Sequence, residues 1–153
     1  MAFERALQDA RVCAVTGAMA VACSGGLDSM VLLHLAHDWA LKNNIRLFAF
    51  HVHHGLSRMA DNWLAHCRES CRQLGIAFDA MKVALDPDDA EGVEAAARRA
   101  RYTALSEMCQ RHGAGLLLTA HHEADQAETV LMQLMRGSGV AGLSGMAMFG
   151  ALP

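Results

Sequence analysis

The segment VACSGGLDSM, near the start of the chain, contains the residues whose types and spacing say most about chemistry. A run of small apolar residues ends there in two glycines flanked by Ser24 and Ser29, with Asp28 before the second serine. When a strand runs through glycines into a helix, unpaired backbone N–H groups and the helix dipole together form a site for phosphate. Gly25 and Gly26 let the backbone approach the anion, because no side chain fills that space. The segment therefore predicts a phosphate-binding loop.

Asp28 adds a negative charge to this predicted loop. A carboxylate repels phosphate unless a divalent cation lies between them, so Asp28 predicts a magnesium ion. On composition alone, a strand-to-helix turn in which Ser24 or Asp28 only caps the helix is an open alternative. The segment does not match the P-loop pattern, because no lysine follows the glycines, and it does not match G-x-G-x-x-G.

The elements that must position this loop follow from the pattern of apolar residues. Apolar runs alternate with amphipathic stretches, which predicts strands alternating with helices. The predicted strands are GAMAVACS, IRLFAFHV, IAFDAMKV and GLLLTAH, and the predicted helices span about 27–42, 59–74, 93–112 and 124–136. This alternation is typical of an α/β fold with a parallel, doubly wound sheet. Ligands of such sheets bind beyond the carboxyl ends of the strands, where SGGLDS, HHGLS and HHEADQAE lie.

Length and composition indicate the class of protein. The chain has 153 residues, 53% hydrophobic and 19% charged, which is typical of one globular domain. No apolar stretch approaches the roughly 20 residues that span a bilayer, and the first ten residues lack the pattern of a signal peptide, so we expect a cytoplasmic protein without a membrane partner. The net charge of −3 provides no overall attraction to nucleic acid. The five cysteines form no CxxC pair and are expected to be core residues.

The loop SGGLDS resembles the SGGxDS loop of the PP-loop pyrophosphatases, which bind ATP and release pyrophosphate while transferring AMP to a substrate oxygen. Three further segments, FHVHHGL, VEAAARRARY and TAHHEADQAETVLMQLMRGSGVAGLSGM, resemble blocks of the tRNA(Ile)-lysidine synthetases in the same order. The resemblance covers roughly residues 19–146 and implies ATP and Mg²⁺ as cofactors. In that family, the wobble cytosine of an isoleucine tRNA with a CAU anticodon is adenylated, and the ε-amine of free lysine then displaces AMP.

The resemblance also implies roles for individual residues. The residues implied to bind ATP are Ser24, Gly25, Gly26, Leu27, Asp28, Ser29 and His54. Asp28 and Asp125 would hold the magnesium that neutralises the leaving pyrophosphate. Asp125 and Glu128 are three residues apart on a predicted helix and would hold the ammonium group of lysine. Arg101 would brace phosphate or the substrate carboxylate, and His121 would contact the nucleotide or transfer a proton.

Two features depart from the family pattern. The family block usually reads HHxDDQxET, whereas this chain has HHEADQAET, with Ala124 in place of the first aspartate. We place the chemistry on the second aspartate, Asp125. The chain ends at FGALP, so we expect a single PP-loop domain over residues 1–153 that lacks the last strand and the C-terminal tRNA-binding domains of the family.

Three alternatives stay open, as does the oligomeric state. Another PP-loop tRNA-modifying enzyme, such as a thiolase, would share the loop, although the CxxC pair typical of such thiolation is absent. A nucleotide-binding PP-loop fragment without complete catalysis would bind ATP without releasing AMP. A metallohydrolase would use the histidines of HVHHGL, but that segment lacks the aspartate of HxHxDH, and adjacent histidines rarely face one ion.

Overall fold

The computed structural model of the chain describes residues 3, 7, 17–55, 57–85, 92–121, 129–134 and 149–150, with side chains as far as residue 120. The elements are β1 (Ala18–Ala22), α1 (Leu27–Asn43), β2 (Arg46–His53), α2 (Ala60–Leu74), β3 (Ala77–Lys82), α3 (Val93–His112), β4 (Leu116–His121), β5 (Thr129–Leu134) and β6 (Phe149–Gly150). The strands form a six-stranded sheet in the order β3-β2-β1-β4-β5-β6.

The centre of the sheet is parallel. Ala20 in β1 pairs with Phe48 in β2 on one side and with Leu117 in β4 on the other, and β3 continues the parallel pairing beyond β2. The chain therefore builds outward from β1 through β2 and β3 and then returns to the other side of β1 to form β4. Such a reversal in strand order opens a crevice at the carboxyl ends of the two strands that flank it, here β1 and β4.

Helices cover both faces of the sheet. Successive residues of β1 face opposite sides, so they pack against different helices. Met19 packs in one buried cluster with Leu33 of α1 and Cys67 of α2. Ala20 packs in a second cluster with Leu105 of α3. The α/β, doubly wound arrangement predicted from the alternating pattern is thus confirmed for the parallel part of the sheet.

Three of the four predicted helices are confirmed to within one residue at each end. Each of them ends at a residue in the left-handed conformation, Asn44, Gly75 or Gly113, whose backbone N–H bonds to carbonyls of the last turn. No helix in the described part of the chain is long and apolar enough to cross a membrane.

The predicted fourth helix, over 124–136, is wrong for the residues that the structure describes there. Thr129–Leu134 form β5, which runs antiparallel to β4 with Leu131 opposite Thr119. A short apolar run does not distinguish a strand from a buried helix by its periodicity, and pairing with the free edge of β4 satisfies backbone groups that a helix would leave unpaired. The helical spacing that placed Asp125 and Glu128 on one face therefore loses its basis; both residues lie outside the described residues.

Candidate functional site

The glycine loop follows β1 and requires glycine at its first turn. Gly25 has φ +90°, a conformation that side chains strongly disfavour. A Cβ at this position would lie 2.7 Å from Cε3 of Trp63 in α2. The indole therefore packs directly against the loop backbone, and any larger residue at position 25 would push the loop away from α2.

Hydrogen bonds fix the rest of the loop to the first turn of α1. The carbonyl of Gly26 accepts a hydrogen bond from the N–H of Met30 at 3.1 Å and another from the Ser29 hydroxyl at 2.9 Å. The Ser24 hydroxyl donates to the Ser29 hydroxyl at 3.1 Å and accepts from the N–H of Gly26 at 3.3 Å. The two serines that flank the glycines thus hold the loop in one shape.

The start of α1 has the features of an anion site. Its N-cap residue is Gly26 and no side-chain cap hydrogen bond is present, so the alternative in which Ser24 or Asp28 only caps the helix is not observed. Asp28 lies half-buried in the first turn, and the side chain of Leu27 is 79% exposed. The N–H groups of an uncapped first turn, together with the helix dipole, favour a bound anion.

A pocket of about 250 Å³ opens beside this loop at the carboxyl ends of the parallel strands. Its walls include Ser24 from the loop, His54 after β2, Arg101 from α3 and Thr119 from β4. Trp63 of α2 forms part of the mouth and is 43% exposed. The structure thus brings Ser24, His54 and Arg101, predicted from three separate segments, to one cavity.

His54 and Arg101 contact each other in this pocket. The Nε of Arg101 donates a hydrogen bond to Nε2 of His54 at 3.4 Å, which places the imidazole proton on Nδ1. The His54 Nδ1 is buried and has no hydrogen-bond partner among the described residues. Burial lowers the pKa of His54 below 6.5, and the positive charge of Arg101 lowers this pKa further. His54 is therefore a neutral base at pH 7.

Two more histidines line the pocket. In the sequence analysis they are named only within HVHHGL, for the metallohydrolase alternative. His51 Nδ1 donates to the carbonyl of Cys23 at 2.7 Å and so ties β2 to the residue before the loop. Burial lowers the pKa of His51, so that it too is neutral. His53 Nε2 lies 3.0 Å from Oδ1 of Asp61, at the start of α2. The alternation His51, His53 along a strand was the available signal, because it puts both side chains on one face.

The side chains of the remaining predicted residues lie outside the described part of the chain. His121 ends β4, where only its backbone is described, and Asp125 and Glu128 lie outside the described residues. Their roles stay predictions.

Asp28 fits a magnesium ligand. Its carboxylate offers hard oxygen donors at the loop, and Mg²⁺ usually takes one or two carboxylates and completes its shell with phosphates and water. In the described part of the chain, no three His, Cys, Asp or Glu side chains form a group that could hold a metal. The carboxylate of Asp28 fits a metal ion that arrives with a nucleotide.

The sequence profile of the PP-loop domain matches residues 1–152, and the chain belongs to this family. The tRNA(Ile)-lysidine synthase of Burkholderia mallei is 56% identical over 129 residues, which are 84% of this chain and 26% of that protein. The tRNA(Ile)-lysidine synthase of Ralstonia nicotianae is 52% identical over 132 residues, 85% of this chain and 29% of that protein. The chain therefore spans less than a third of the length of these relatives.

A solved structure supports the fold. The U34-tRNA thiolase NcsA from Methanococcus maripaludis, described with its 4Fe-4S cluster, superposes with a TM-score of 0.57 and 18% identity, over 67% of this chain and 37% of that one. The two chains share the α/β architecture of the PP-loop domain.

Proposed function

We propose that this chain is the ATP-binding part of a ligase that joins free lysine to C2 of the wobble cytidine in an isoleucine tRNA with a CAU anticodon. The observation that carries the proposal is the glycine loop, whose Ser24 lines the pocket where Arg101 and a neutral His54 meet and which leads into an uncapped helix start. The relatives are named tRNA(Ile)-lysidine synthases, and this supports the choice of substrates.

The first step would activate the cytidine. C2 of cytosine is a poor electrophile, so its carbonyl oxygen must first become part of a good leaving group. That oxygen attacks the α-phosphorus of ATP, the bond to the β-phosphate breaks, and pyrophosphate leaves. The N–H groups of the glycine loop and the Arg101 guanidinium would stabilise the charge on the phosphates. A magnesium ion on Asp28, with Asp125 as second ligand, would supply further neutralisation of that charge.

The second step would form the carbon–nitrogen bond. The ε-ammonium group of lysine must lose a proton before its nitrogen attacks C2 and AMP departs. His54, which is neutral because burial and Arg101 lower its pKa, would contact the nucleotide, or would accept this proton at Nε2 once the hydrogen bond from Arg101 is broken. Asp125 and Glu128 would orient the ammonium group beforehand, and His121 would contact the nucleotide or transfer a proton. These three assignments rest on the resemblance of the segment HHEADQAET.

The test has two stages on the same purified chain. Binding of ATP with Mg²⁺ is measured by calorimetry, and transfer of labelled lysine to the CAU-anticodon tRNA is then measured with ATP present. We expect ATP binding, and label in the RNA that disappears in Asp28→Ala. A folded chain that does not bind ATP contradicts the proposal.

A specific observation favours a second, smaller function. The chain covers only 26% of the relative from Burkholderia mallei, so it corresponds to a nucleotide-binding part of such a protein. If the chain binds ATP without transferring lysine or releasing AMP, this function is the correct one. Incorporation of sulfur in place of lysine would instead indicate a thiolase within the same family.

A further inference from the structure

Two cysteines from different elements meet beneath the glycine loop. Cys23 joins β1 to the loop, and Cys67 lies within α2. Their Sγ atoms are 3.3 Å apart although the residues are 44 positions apart in the chain. Both are free thiols, with exposed fractions of 2% and 0%. The sequence does not reveal this pair, because the two cysteines form no CxxC motif. They meet only because α2 packs on the sheet.

The two thiols differ in access and acidity. Cys23 is a lining residue of the pocket, from which a peroxide would approach it, whereas Cys67 is in contact with Cys23 and does not line the pocket. The hydrogen bond with Cys67 lowers the pKa of the Cys23 thiol, and the Gly25 amide and the Ser29 hydroxyl lower it further, against the opposing effect of burial. The thiolate is the form that reacts with peroxide.

We propose that Cys23 and Cys67 are a modification site at which a peroxide forms an intramolecular disulfide that closes the adjacent glycine loop to nucleotide. The disulfide itself depends only on the two sulfurs. Its effect on nucleotide rests on the proposed ATP-binding function.

The chemistry balances in two steps. The Cys23 sulfur attacks one oxygen of the peroxide: an S–O bond forms, the O–O bond breaks, and the leaving hydroxide takes the thiol proton to become water. The Cys67 sulfur then attacks the sulfenic sulfur: the S–S bond forms, the S–O bond breaks, and the second hydroxide leaves as water with the Cys67 proton. Two thiols are oxidised by two electrons, and one peroxide is reduced to two waters.

The new bond would strain the loop. A disulfide holds its sulfurs about 2.05 Å apart, so the two sulfurs must approach from 3.3 Å by roughly 1.2 Å. The loop has little room to follow this movement: a Cβ at Gly25 would lie 3.4 Å from Cys67 Sγ and 2.7 Å from Trp63 Cε3. Drawing α2 toward the end of β1 therefore presses the indole and the helix against the loop that would hold the phosphates.

The experiment treats the reduced full chain with hydrogen peroxide, then alkylates it without reductant. We expect a mass decrease of about 2 Da, the loss of two reactive thiols, and reversal of both by dithiothreitol. Trypsin separates Cys67 from Cys71 by cleaving after Arg68. Cys13 and Cys23 lie in one tryptic peptide, so tandem mass spectrometry must show which of these two cysteines forms the bond. A bond to Cys13, or no bond, overturns the proposal.

Matched variants separate this site from general oxidation. Cys67→Ser should block the disulfide, and Cys71→Ser, one turn further along α2, should leave it unchanged; Cys67→Ala replaces Cys67→Ser if the serine prevents folding. Equal thiol loss in a Cys67 variant and the wild type contradicts the proposal. ATP affinity should fall at least tenfold on oxidation and recover on reduction. If the disulfide forms and the ATP affinity is unchanged, the proposed effect on the loop is wrong. If the reduced chain never binds ATP, the proposed function is wrong, and the mapping of the disulfide alone then tests the modification site.

Discussion

Arg101 and His54 lie 47 residues apart in the chain, and the guanidinium Nε donates a hydrogen bond to the imidazole Nε2 across 3.4 Å. This contact joins α3 to the end of β2 and places a permanent positive charge beside a neutral base. An arginine that serves as a hydrogen-bond donor to histidine keeps other N–H groups available for phosphate. A change in either side chain should therefore affect the charge and the hydrogen bonding of the other.

Removing the Arg101 charge should raise the pKa of His54. The positive guanidinium is a cause of the lowered pKa, second to burial, so Arg101→Ala should shift the imidazole titration to higher pH. The measurement is NMR titration of the histidine Hε1 resonances in both proteins, with assignment through His54→Gln. Arg99→Ala, a change on α3 that does not line the pocket, is the control and should leave the titration in place. An unchanged His54 titration in Arg101→Ala would contradict the contact.

Nucleotide affinity should depend on the same arginine. A charged hydrogen bond contributes about 1.5–3 kcal/mol, so Arg101→Ala should weaken ATP binding roughly 10- to 100-fold. Calorimetric titration with ATP and Mg²⁺ measures this, with Arg99→Ala as the matched control. Equal affinity in the two variants would show that Arg101 does not contact the phosphates.

The sign of the Asp28 effect should depend on magnesium. With Mg²⁺ present, Asp28→Asn should weaken ATP binding because an amide is a poorer magnesium ligand than a carboxylate. With EDTA present, the same variant should bind ATP more tightly than the wild type, because a negative charge beside the phosphates has gone. Asp38→Asn, at an exposed position on the same helix, should change neither affinity. A loss of binding under both conditions would assign Asp28 a structural role.

Gly25 should tolerate no side chain. Gly25→Ala combines a positive φ with a contact of 2.7 Å to Trp63, whereas Gly75→Ala meets only a positive φ of 69° with nothing within 4 Å. Backbone strain of this kind costs about 1–3 kcal/mol, so both variants lose stability and Gly25→Ala should lose more. Urea unfolding measures both. Adding Trp63→Ala should recover part of the difference, and a double-mutant cycle without coupling would refute the contact.

Stability should fall on acidification below pH 6.5. The pKa of His51 and that of His54 are lowered in the folded state, so between those values and 6.5 the unfolded chain binds protons that the folded chain does not. By linkage, the free energy of unfolding then decreases as the pH falls, and above pH 6.5 these groups contribute no slope. His51→Asn, which keeps a donor for the Cys23 carbonyl, should flatten the slope, and His66→Gln, at an exposed position, should not. Parallel slopes in all three proteins would contradict this.

The sequence predicted the parts of this fold that local patterns control. Gly75 and Gly113 follow directly on two helices whose ends the sequence predicted, and the SGGLDS segment forms the loop because glycine and serine favour that backbone locally. The strand at Thr129–Leu134 could not be predicted in the same way, because pairing with β4 decides its conformation and no local periodicity encodes that partner. The contact of Cys23 with Cys67 depends on the packing of α2 on the sheet for the same reason.

The pocket is assembled from the ends of β1, β2 and β4 and from one face of α3, segments that lie far apart in the chain. No fragment shorter than the span from Ala22 to Ala120 contains all of its walls. The cavity thus requires the long-range strand pairs to be closed, and it is lost when they open. Any ligand that fills it binds only the native state and raises the free energy of unfolding in proportion to the logarithm of its concentration. An increase in the free energy of unfolding on addition of nucleotide would therefore show that the whole parallel sheet is folded.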